Sequence, residues 1–285
     1  MRHEAVAWAE SVLCEPVVEV TELPGGLTST MLALTQRSGA SSVLRLMTKD
    51  PWRAHGADLT RRERAAQIQL LATPVPAPVS LGLDAEGVAT GVSAHLMSRL
   101  PGAPATHIDA ATVAAMAEML AGIHDVRPTE PFRDYQSWAW EAKWTVPTWS
   151  RQPDVWSRAF DLLAAGPPTY EPTFLHRDFS HRNLLWLDSS ISGVVDWVET
   201  STGPAWLDAA HAATNLAVSC GTESATSFLT AYAALTATRP DRYWLVMDAV
   251  GFLPPPGKKA FFDSVDELDR LDAWLHEVMT TDLRP

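Results

Sequence analysis

The chain has 285 residues but only two cysteines, Cys14 and Cys220, which lie far apart in the sequence. Two isolated cysteines provide neither a disulfide framework nor the close spacing of a zinc site. No apolar run approaches the roughly 20 residues that are needed to span a bilayer. Residues 1–13 include acids and no continuous apolar stretch, so we expect no signal peptide and a cytoplasmic protein.

Basic charge is also in short supply. The chain has 22 Lys and Arg against 34 Asp and Glu, which gives a net charge of −12. This balance excludes a general nucleic-acid binder and a surface that adheres to anionic membranes. The acidic excess is concentrated in residues 98–285, which carry 14 basic and 24 acidic residues. Such a field favours a cationic partner.

The sequence patterns differ between the two ends of the chain. Before residue 100, short β-branched and apolar runs predict strands over 19–23, 30–35 and 42–47, and two more strands around a tight turn within 88–100. Helices are predicted over 4–14 and 58–72. Later apolar residues recur at helical spacing, which predicts helices over 113–124, 155–165, 205–219, 223–237 and 264–280, with the Trp-rich stretch 138–156 also helical.

A short segment rich in proline and glycine, 101–104, separates these two patterns. We therefore predict an N-terminal lobe over 1–100, a hinge at about 97–104 and a C-terminal lobe over 105–285. The expected fold class is α+β, with a small antiparallel sheet in the first lobe and mainly helices in the second.

The string with the most specific chemistry is HRDFSHRN, residues 176–183, which fits the pattern H-x-D-x-x-x-x-N before an apolar run. A second apolar run ends in a carboxylate at Asp196. Phosphoryl transfer requires such a set, because one Asp must accept or orient the proton of the acceptor hydroxyl and hard oxygens must hold Mg²⁺. Asp178 suits the first role, and Asn183 and Asp196 suit the second. The alternative interpretation is two loops with ordinary capping residues.

With these motifs the chain resembles the aminoglycoside phosphotransferase and choline kinase-like family, small-molecule relatives of the protein kinases. The resemblance covers nearly the whole chain and includes, in the family's order, LPGGLTS at 23–29, VLRL at 43–46, VPAP at 75–78, LMSRLPG at 96–102, LAGIH at 120–124 and the segment from Gly203 to Ala210. It implies a bilobal protein-kinase-like fold, with Mg²⁺ as cofactor and ATP or GTP as phosphoryl donor.

The resemblance also implies roles for single residues. In the first lobe, Arg45 would contact the nucleotide phosphates and pair with Glu63. The backbone of Met97 to Arg99 would hydrogen-bond the adenine, and the phosphates would lie under the turn formed by Gly25, Gly26, Thr28 and Ser29. In the second lobe, His176 and Asp208 would support the catalytic loop.

The sequence departs from the family pattern at several points, and its nucleotide loop has only Gly25 and Gly26 in place of G-x-G-x-x-G. Arg177 and Arg182 stand where the family's loop has glycines, so we expect this backbone to avoid positive φ. Arg45 stands where many kinases have Lys, which replaces a point charge by a planar fork. In addition, the interval between Asp196 and Asp208 leaves little room for an activation loop, which favours a small-molecule acceptor over a protein.

The sequence says least about the identity of the acceptor molecule. An aminoglycoside would suit an acidic pocket, for which the candidates are Asp134, Glu141, Glu199 and Asp263. A choline-like cation would instead sit among aromatic faces of the Trp-rich stretch, unless those rings belong to the core. The expected function is O-phosphorylation of a small hydroxylated, cationic molecule, with antibiotic inactivation as the favoured role. The alternatives are a metabolic kinase for choline, homoserine or a sugar, and a nucleotide-binding protein with little turnover. His124 and His211 are assigned no role.

Overall fold

The computed structural model describes residues 2–26, 28–258, 260–262 and 264–281. Its chain divides into two units. The first unit consists of Met1–Ala103, Leu185–Leu187 and Ile191–Thr200, and the second of Pro104–Leu184, Asp188–Ser190 and Ser201–Pro285. The sequence-based boundary places the segments 185–187 and 191–200 in the C-terminal lobe.

An antiparallel sheet forms the centre of the first unit. Its five strands are β1 (Val17–Leu23), β2 (Thr30–Gln36), β3 (Ser41–Leu46), β4 (Ser80–Asp84) and β5 (Ala94–Ser98). Across the sheet they are ordered β1-β2-β3-β5-β4. The hairpin between β2 and β3 turns at Gly39, which has a φ of +89° that glycine adopts at little cost. Arg45 and His95 are paired across β3 and β5, so their side chains lie on the same face of the sheet.

Two helices accompany this sheet, α1 over Arg2–Leu13 and α2 over Gly56–Leu70. Ala5 and Ala9 of α1 pack into a core cluster that includes Leu32, Leu34 and Leu44. Alanine suits these two positions because its small side chain lets the helix approach the sheet closely. The amphipathic pattern of α1 thus covers one face of the strands.

The prediction of two strands within 88–100 is wrong for the first of them. Only β5 lies there, and its partner β4 is formed earlier, at Ser80–Asp84. The residues between β4 and β5 form a loop around Asp84, whose carboxylate accepts hydrogen bonds from the backbone of Val88, Ala89 and Thr90. These bonds satisfy the backbone donors that a strand would otherwise pair.

The second unit is mainly helical, which confirms the predicted fold class. Its described helices are α3 (Ala110–His124), α4 (Pro153–Ala164), α5 (Ala205–Cys220), α6 (Thr222–Thr236), α7 (Arg242–Gly251) and α8 (Val265–Thr280). Strand β6 (Pro172–Leu175) pairs antiparallel with β9 (Ser201–Pro204). Strands β7 (Leu184–Leu187) and β8 (Ser190–Val194) pair with each other, and most of their residues belong to the first unit. No described helix is long and apolar enough to cross a membrane.

Helix α7 was not predicted from the sequence. Its residues from Trp244 to Val250 are all buried, so the segment is apolar around its whole circumference apart from Asp248. A helix that is buried on every side has no amphipathic stripe, and the periodicity that reveals the other helices is missing.

The prediction of a helix over the Trp-rich stretch 138–156 is wrong for most of its length. This segment is irregular apart from a single 3₁₀ turn at Glu141–Lys143, and α4 begins only at Pro153, a residue that is favoured in the first turn. Trp156 is fully buried and Trp149 packs edge-on against it, whereas Trp140 is 46% exposed. The tryptophans are therefore divided between the core and the surface.

The buried carboxylate of Asp272 on α8 ties the Trp-rich segment to the helices. It accepts hydrogen bonds from Ser150 Oγ at 2.6 Å, from the Arg151 backbone at 3.0 Å and from Trp156 Nε1 at 2.7 Å.

We expect Asp272→Asn to lower the free energy of unfolding by about 1–3 kcal/mol, because an amide nitrogen then faces donors that lose their acceptor. Thermal or denaturant unfolding measures the loss. An unchanged melting temperature would show that these bonds do not stabilise the fold.

Candidate functional site

The segment 176–183, here named the Asp178 loop, connects β6 to β7. It leaves the buried strand end at Leu175 and closes with a short 3₁₀ turn over His181–Asn183. Phe179 is fully buried within the loop and anchors it by its ring. The loop is therefore held at both ends by strands and in its middle by an apolar side chain.

Asp208, in the first turn of α5, binds the backbone of this loop. Its Oδ2 accepts a hydrogen bond from the His176 backbone at 2.7 Å, and its Oδ1 accepts one from the Arg177 backbone at 2.8 Å. Nε2 of His124 lies 3.3 Å from Oδ2 of the same carboxylate, and Nδ1 of His124 lies 2.6 Å from the Tyr232 hydroxyl. Burial alone would raise the pKa of Asp208, but the hydrogen bond from His124 and the nearby cationic groups lower it below its ordinary value. The carboxylate thus remains a charged acceptor.

The expectation that this loop avoids positive φ is wrong at Arg177. Its φ is +75°, in the left-handed region that the family's glycine would occupy. Such a conformation costs about 1–3 kcal/mol for a residue with a side chain. The contacts of Arg177 offset this cost, since its backbone donates to Asp208 and its guanidinium lies 3.7 Å from the ring centre of Trp138. A stacked arginine therefore takes the place of glycine.

The carboxylate of Asp178 is held at both oxygens. Oδ1 lies 2.9 Å from His211 Nε2, and Oδ2 accepts a hydrogen bond from Asn183 Nδ2 at 3.1 Å. The side chain still keeps 36% of its exposure, so another molecule can reach it. Burial raises the pKa of Asp178, but the hydrogen bond and charge of His211 outweigh it and lower the pKa below its ordinary value. Asp178 is therefore an ionised, accessible hydrogen-bond acceptor.

Two residues of this site were missed from the sequence. His211 bonds Asp178 through Nε2 and Asp248 through Nδ1, both at 2.9 Å. A signal for His211 existed, because it follows Asp208 by three residues and so lies on the same face of α5. A signal for Asp248 was its position as a lone acid among apolar residues, where a carboxylate requires a partner.

A second charged cluster belongs to the first unit. Arg45 contacts Glu63 through Nε and Nη2, and Asp196 through Nη2, with each distance 3.0 Å. His95 donates from Nδ1 to Glu63 at 2.9 Å. Burial would raise the pKa of Glu63, but Arg45 and His95 lower it below its ordinary value. Arg45 is buried and joins two carboxylates that lie far apart in the sequence.

The residues predicted to bind the nucleotide phosphates reach this cluster at Ser29. Ser29 is buried and accepts a hydrogen bond from Arg45 Nη1 at 3.2 Å. Gly25 has a φ of +93°, and a side chain at Gly26 would collide with the Ser29 carbonyl oxygen, so both glycines are required by this backbone. Thr28 is half-buried between them and β2.

The predicted hinge residues lie at the end of β5 in the same unit. Met97 is buried, and its sulfur accepts a hydrogen bond from Gln67 at 3.6 Å. The Arg99 backbone donates to the Ser41 carbonyl at 3.4 Å, which continues the sheet past the end of β5.

The two predicted metal ligands belong to different units, Asn183 to the second and Asp196 to the first. Asn183 uses Nδ2 for both of its bonds to Asp178, to the carbonyl oxygen and to Oδ2, and its Oδ1 enters neither. Asp196 is partly exposed and has a φ of +69°, which turns the chain directly after β8. Amide and carboxylate oxygens are the ligand types that Mg²⁺ prefers. Within the described residues there is no group of three or more His, Cys, Asp or Glu that could hold a metal.

The predicted acceptor residues are dispersed. Asp134 pairs through its backbone with Thr202 in an isolated bridge, and Glu141 begins the 3₁₀ turn; both are exposed. Glu199 belongs to the first unit and lies in a 3₁₀ turn after Asp196. Asp263 lies outside the described residues.

Aromatic rings contact His211, the residue whose Nε2 lies 2.9 Å from Asp178 Oδ1. Trp138 meets the ring of His211 edge-on, with ring centres 5.3 Å apart, and Phe252 stacks on the same ring at 5.5 Å.

Comparison with known proteins identifies a family that matches this chain. A family model described as a phosphotransferase enzyme family matches residues 19–245. Among curated proteins no sequence matches the chain.

Several solved structures share the fold. A thermostable mutant of aminoglycoside phosphotransferase APH(4)-Ia, in ternary complex with AMP-PNP and hygromycin B, is 16% identical, with a TM-score of 0.69 over 98% of this chain and 100% of that one. The amicoumacin kinase hAmiN, in complex with AMP-PNP, Ca²⁺ and Ami, is 15% identical, with a TM-score of 0.58 over 98% and 94%. APH(3'')-Id from Streptomyces rimosus is 16% identical, with a TM-score of 0.58 over 88% and 97%.

The contacts of His211 with Asp178 and Asp248 predict that the stability of the protein depends on pH. Burial lowers the pKa of His211, but Asp248 and Asp178 outweigh it and raise the pKa to about 9, above the ordinary value of 6.5. The stabilisation by the protonated ring is therefore fully present below pH 6.5 and is lost as the pH rises through about 9. We expect the melting temperature to fall over this interval more steeply in the unsubstituted protein than in His211→Gln, which does not titrate. Parallel curves for the two proteins would contradict the assignment.

Proposed function

Since this chain belongs to the phosphotransferase enzyme family, as its motifs indicate, and is a small-molecule phosphotransferase, we propose that it transfers the terminal phosphoryl group of ATP or GTP to a hydroxyl group of a small cationic acceptor. The bond between the bridging oxygen and the terminal phosphorus breaks, and a bond from the acceptor oxygen to that phosphorus forms. The observation that carries this proposal is the ionised, accessible carboxylate of Asp178 in a loop braced by Asp208.

Asp178 acts as the proton acceptor. Its low pKa keeps it charged at neutral pH, so it accepts a hydrogen bond from the acceptor hydroxyl and takes the proton as the new oxygen–phosphorus bond forms. In a loose transition state the proton moves late, and the main contribution of the base is to orient the hydroxyl. A carboxylate that is fixed at both oxygens suits this task.

The nucleotide belongs to the N-terminal lobe, residues 1–100. The glycine turn at Gly25 and Gly26, with Thr28 and Ser29, supplies backbone amides for the phosphates, and Arg45, oriented by Glu63, supplies positive charge. The backbone from Met97 to Arg99, at the hinge, binds the adenine. Structural relatives in complex with AMP-PNP support a nucleoside triphosphate as donor.

We assign Mg²⁺ to Asn183 and Asp196, whose oxygens fit its preference for hard ligands. The ion, when bound, neutralises charge on the nucleotide phosphates. Asp196 keeps an ion pair with Arg45, so this carboxylate is positioned by a cation of the chain itself.

The C-terminal lobe, residues 105–285, binds the acceptor and carries the catalytic loop, with His176 and Asp208 as its support. A cationic antibiotic is the favoured acceptor, because the lobe is acidic and its structural relatives include proteins in complex with hygromycin B and an amicoumacin kinase. Asp134, Glu141, Glu199 and Asp263 are the acids proposed to attract it. Inactivation of such a compound would take place in the cytoplasm, where the nucleotide is available.

A screen for nucleotide-diphosphate release tests this function. The protein is incubated with ATP or GTP and with aminoglycosides, macrolides, peptide antibiotics, choline, homoserine and sugars, with and without Mg²⁺. We expect acceptor-dependent release that requires the ion and a product heavier by one phosphoryl group. Turnover with choline, homoserine or a sugar alone would assign a metabolic role, and binding of nucleotide without any release would favour a nucleotide-binding protein with little turnover.

Asp178→Asn tests the proton acceptor. The amide keeps the shape of the side chain but removes the charge, so kcat should fall by at least about 10²-fold, the range of a positioned general base. The nucleotide affinity should stay close to that of the unsubstituted protein, since the nucleotide site belongs to the other lobe. Near-normal kcat combined with a lowered melting temperature would make Asp178 a structural residue.

Asp196→Ala tests the metal ligand. We expect it to abolish turnover and to weaken Mg²⁺-dependent nucleotide binding far more than acceptor binding, because the variant loses the metal contact and the ion pair with Arg45, both proposed for the nucleotide side of the site. Isothermal titration with and without Mg²⁺ separates the two effects. Normal turnover in this variant would remove Asp196 from the site.

A further inference from the structure

The site contains a charged histidine that the proposed chemistry does not use. His211 lies on α5, is 4% exposed and has both ring nitrogens 2.9 Å from a carboxylate oxygen. An imidazole can donate from both nitrogens only when it is doubly protonated. The geometry therefore places an imidazolium between a partly exposed acid, Asp178, and a buried acid, Asp248.

We propose that His211, anchored by Asp248, is a positioning residue that fixes the plane of the catalytic carboxylate by holding Oδ1 of Asp178 while Asn183 holds Oδ2. This inference rests on the proposed role of Asp178 as proton acceptor. It adds a second layer to the site, in which Asp248 orients the imidazole and the imidazole orients the base.

The surroundings of His211 leave its ring a single orientation. Phe252 stacks on one face with an interplanar angle of 7°, and Trp138 meets the ring edge-on. Asn215, one turn later on α5, donates from Nδ2 to the His211 carbonyl oxygen at 2.9 Å and also lies 3.1 Å from Nε2. Because rings and carboxylates fix the imidazole, its hydrogen bond to Asp178 has a fixed direction as well.

Charge complementarity also favours a positioning role over a basic one. The charged groups that face His211 are Asp178 from its loop and Asp248 from α7, and Lys143 acts on Asp248 electrostatically from the neighbouring 3₁₀ turn. A cation beside Asp178 lowers the basicity of that carboxylate. The contact with His211 therefore lowers the proton affinity of Asp178 but fixes its orientation. This suits a transition state in which the proton moves late.

The burial of Asp248 supports its role as an anchor. Its side chain is 1% exposed, and its partner in the structure is the Nδ1 proton of His211. A buried carboxylate without a cation would be costly, and so would a buried imidazolium without an acid. Asp248 thus offsets the cost of burying the imidazolium, and the second nitrogen of the imidazole remains directed at Asp178.

A double-variant cycle tests this inference, with kcat and KM for the nucleotide measured for the unsubstituted protein, Asp178→Asn, His211→Leu and the double variant. Misplacement of a reacting group by about 1 Å can cost about 10²-fold in rate. We expect His211→Leu to lower kcat by about 10- to 100-fold with an unchanged nucleotide KM. In the double variant the loss should equal that of Asp178→Asn alone, because a base that is already lost cannot be misplaced.

Conservative variants keep the test informative if His211→Leu does not fold. The amide nitrogen of His211→Gln can reach the position of Nε2 and donate to Asp178, so we expect it to retain more activity than His211→Leu. Asp248→Asn should lower kcat without changing the nucleotide KM. The matched control is Asp272→Asn, another buried acid of the C-terminal helices, which should lower the melting temperature and leave kcat unchanged.

A spectroscopic measurement tests the same contact without any acceptor. In ¹⁵N NMR of the imidazole rings, His211 should show two protonated nitrogens at pH 7.5, with the signal assigned by its loss in His211→Gln. Its pKa should fall in Asp178→Asn and fall further in Asp248→Asn. A His211 signal that does not respond to Asp178→Asn would overturn the inference.

The outcomes separate this inference from the proposed function. If Asp178→Asn keeps normal kcat, or if the unsubstituted protein turns over no acceptor, the proposed function is wrong, and the NMR measurement still decides whether His211 holds Asp178. If Asp178→Asn is inactive while His211→Leu stays within twofold of the unsubstituted protein, or if the two losses multiply in the double variant, the function stands and the positioning role fails.

Discussion

The carboxylate of Asp208 is the contact on which the geometry of the second unit's site depends. It accepts the backbone protons of His176 and Arg177, and it does so from the first turn of a helix that is buried along most of its length. The same helix carries His211 one turn later. Because α5 presents both residues from one rigid element, the loop backbone and the carboxylate of Asp178 are positioned by a common support.

Each of the two units contains a buried acid that is paired with a cation. In the first, Glu63 is enclosed by Arg45 and His95, and Arg45 also pairs with Asp196. In the second, His211 stands between Asp178 and Asp248. In each case a fully buried acid holds a cation, and that cation contacts a more exposed acid proposed for chemistry. Buried ion pairs contribute little net stability but become costly when one partner is removed, so they define the orientation of the exposed acid.

Arg177 shows how a residue with a side chain can adopt a backbone conformation that favours glycine. It stands where the family pattern has glycine, and its φ is +75°. The backbone bond to Asp208 and the stacking on Trp138 compensate for the strain. This is a place where local sequence reasoning fails because tertiary contacts outweigh a local preference of a few kcal/mol.

The sequence by itself determined the fold class, the family and the positions of Asp178, Asn183 and Asp196 relative to their flanking apolar runs, since these depend on local periodicity and spacing along the chain. Elements without such a signal were missed or misplaced: α7 is apolar on every side, β4 pairs with a strand across a loop ordered by Asp84, and the Trp-rich stretch is irregular. Only the tertiary structure decided that His211 contacts both Asp178 and Asp248. His211 and Asp248 come from α5 and α7, and no spacing in the sequence records which helices pack side by side, because that choice depends on the burial of whole helix faces.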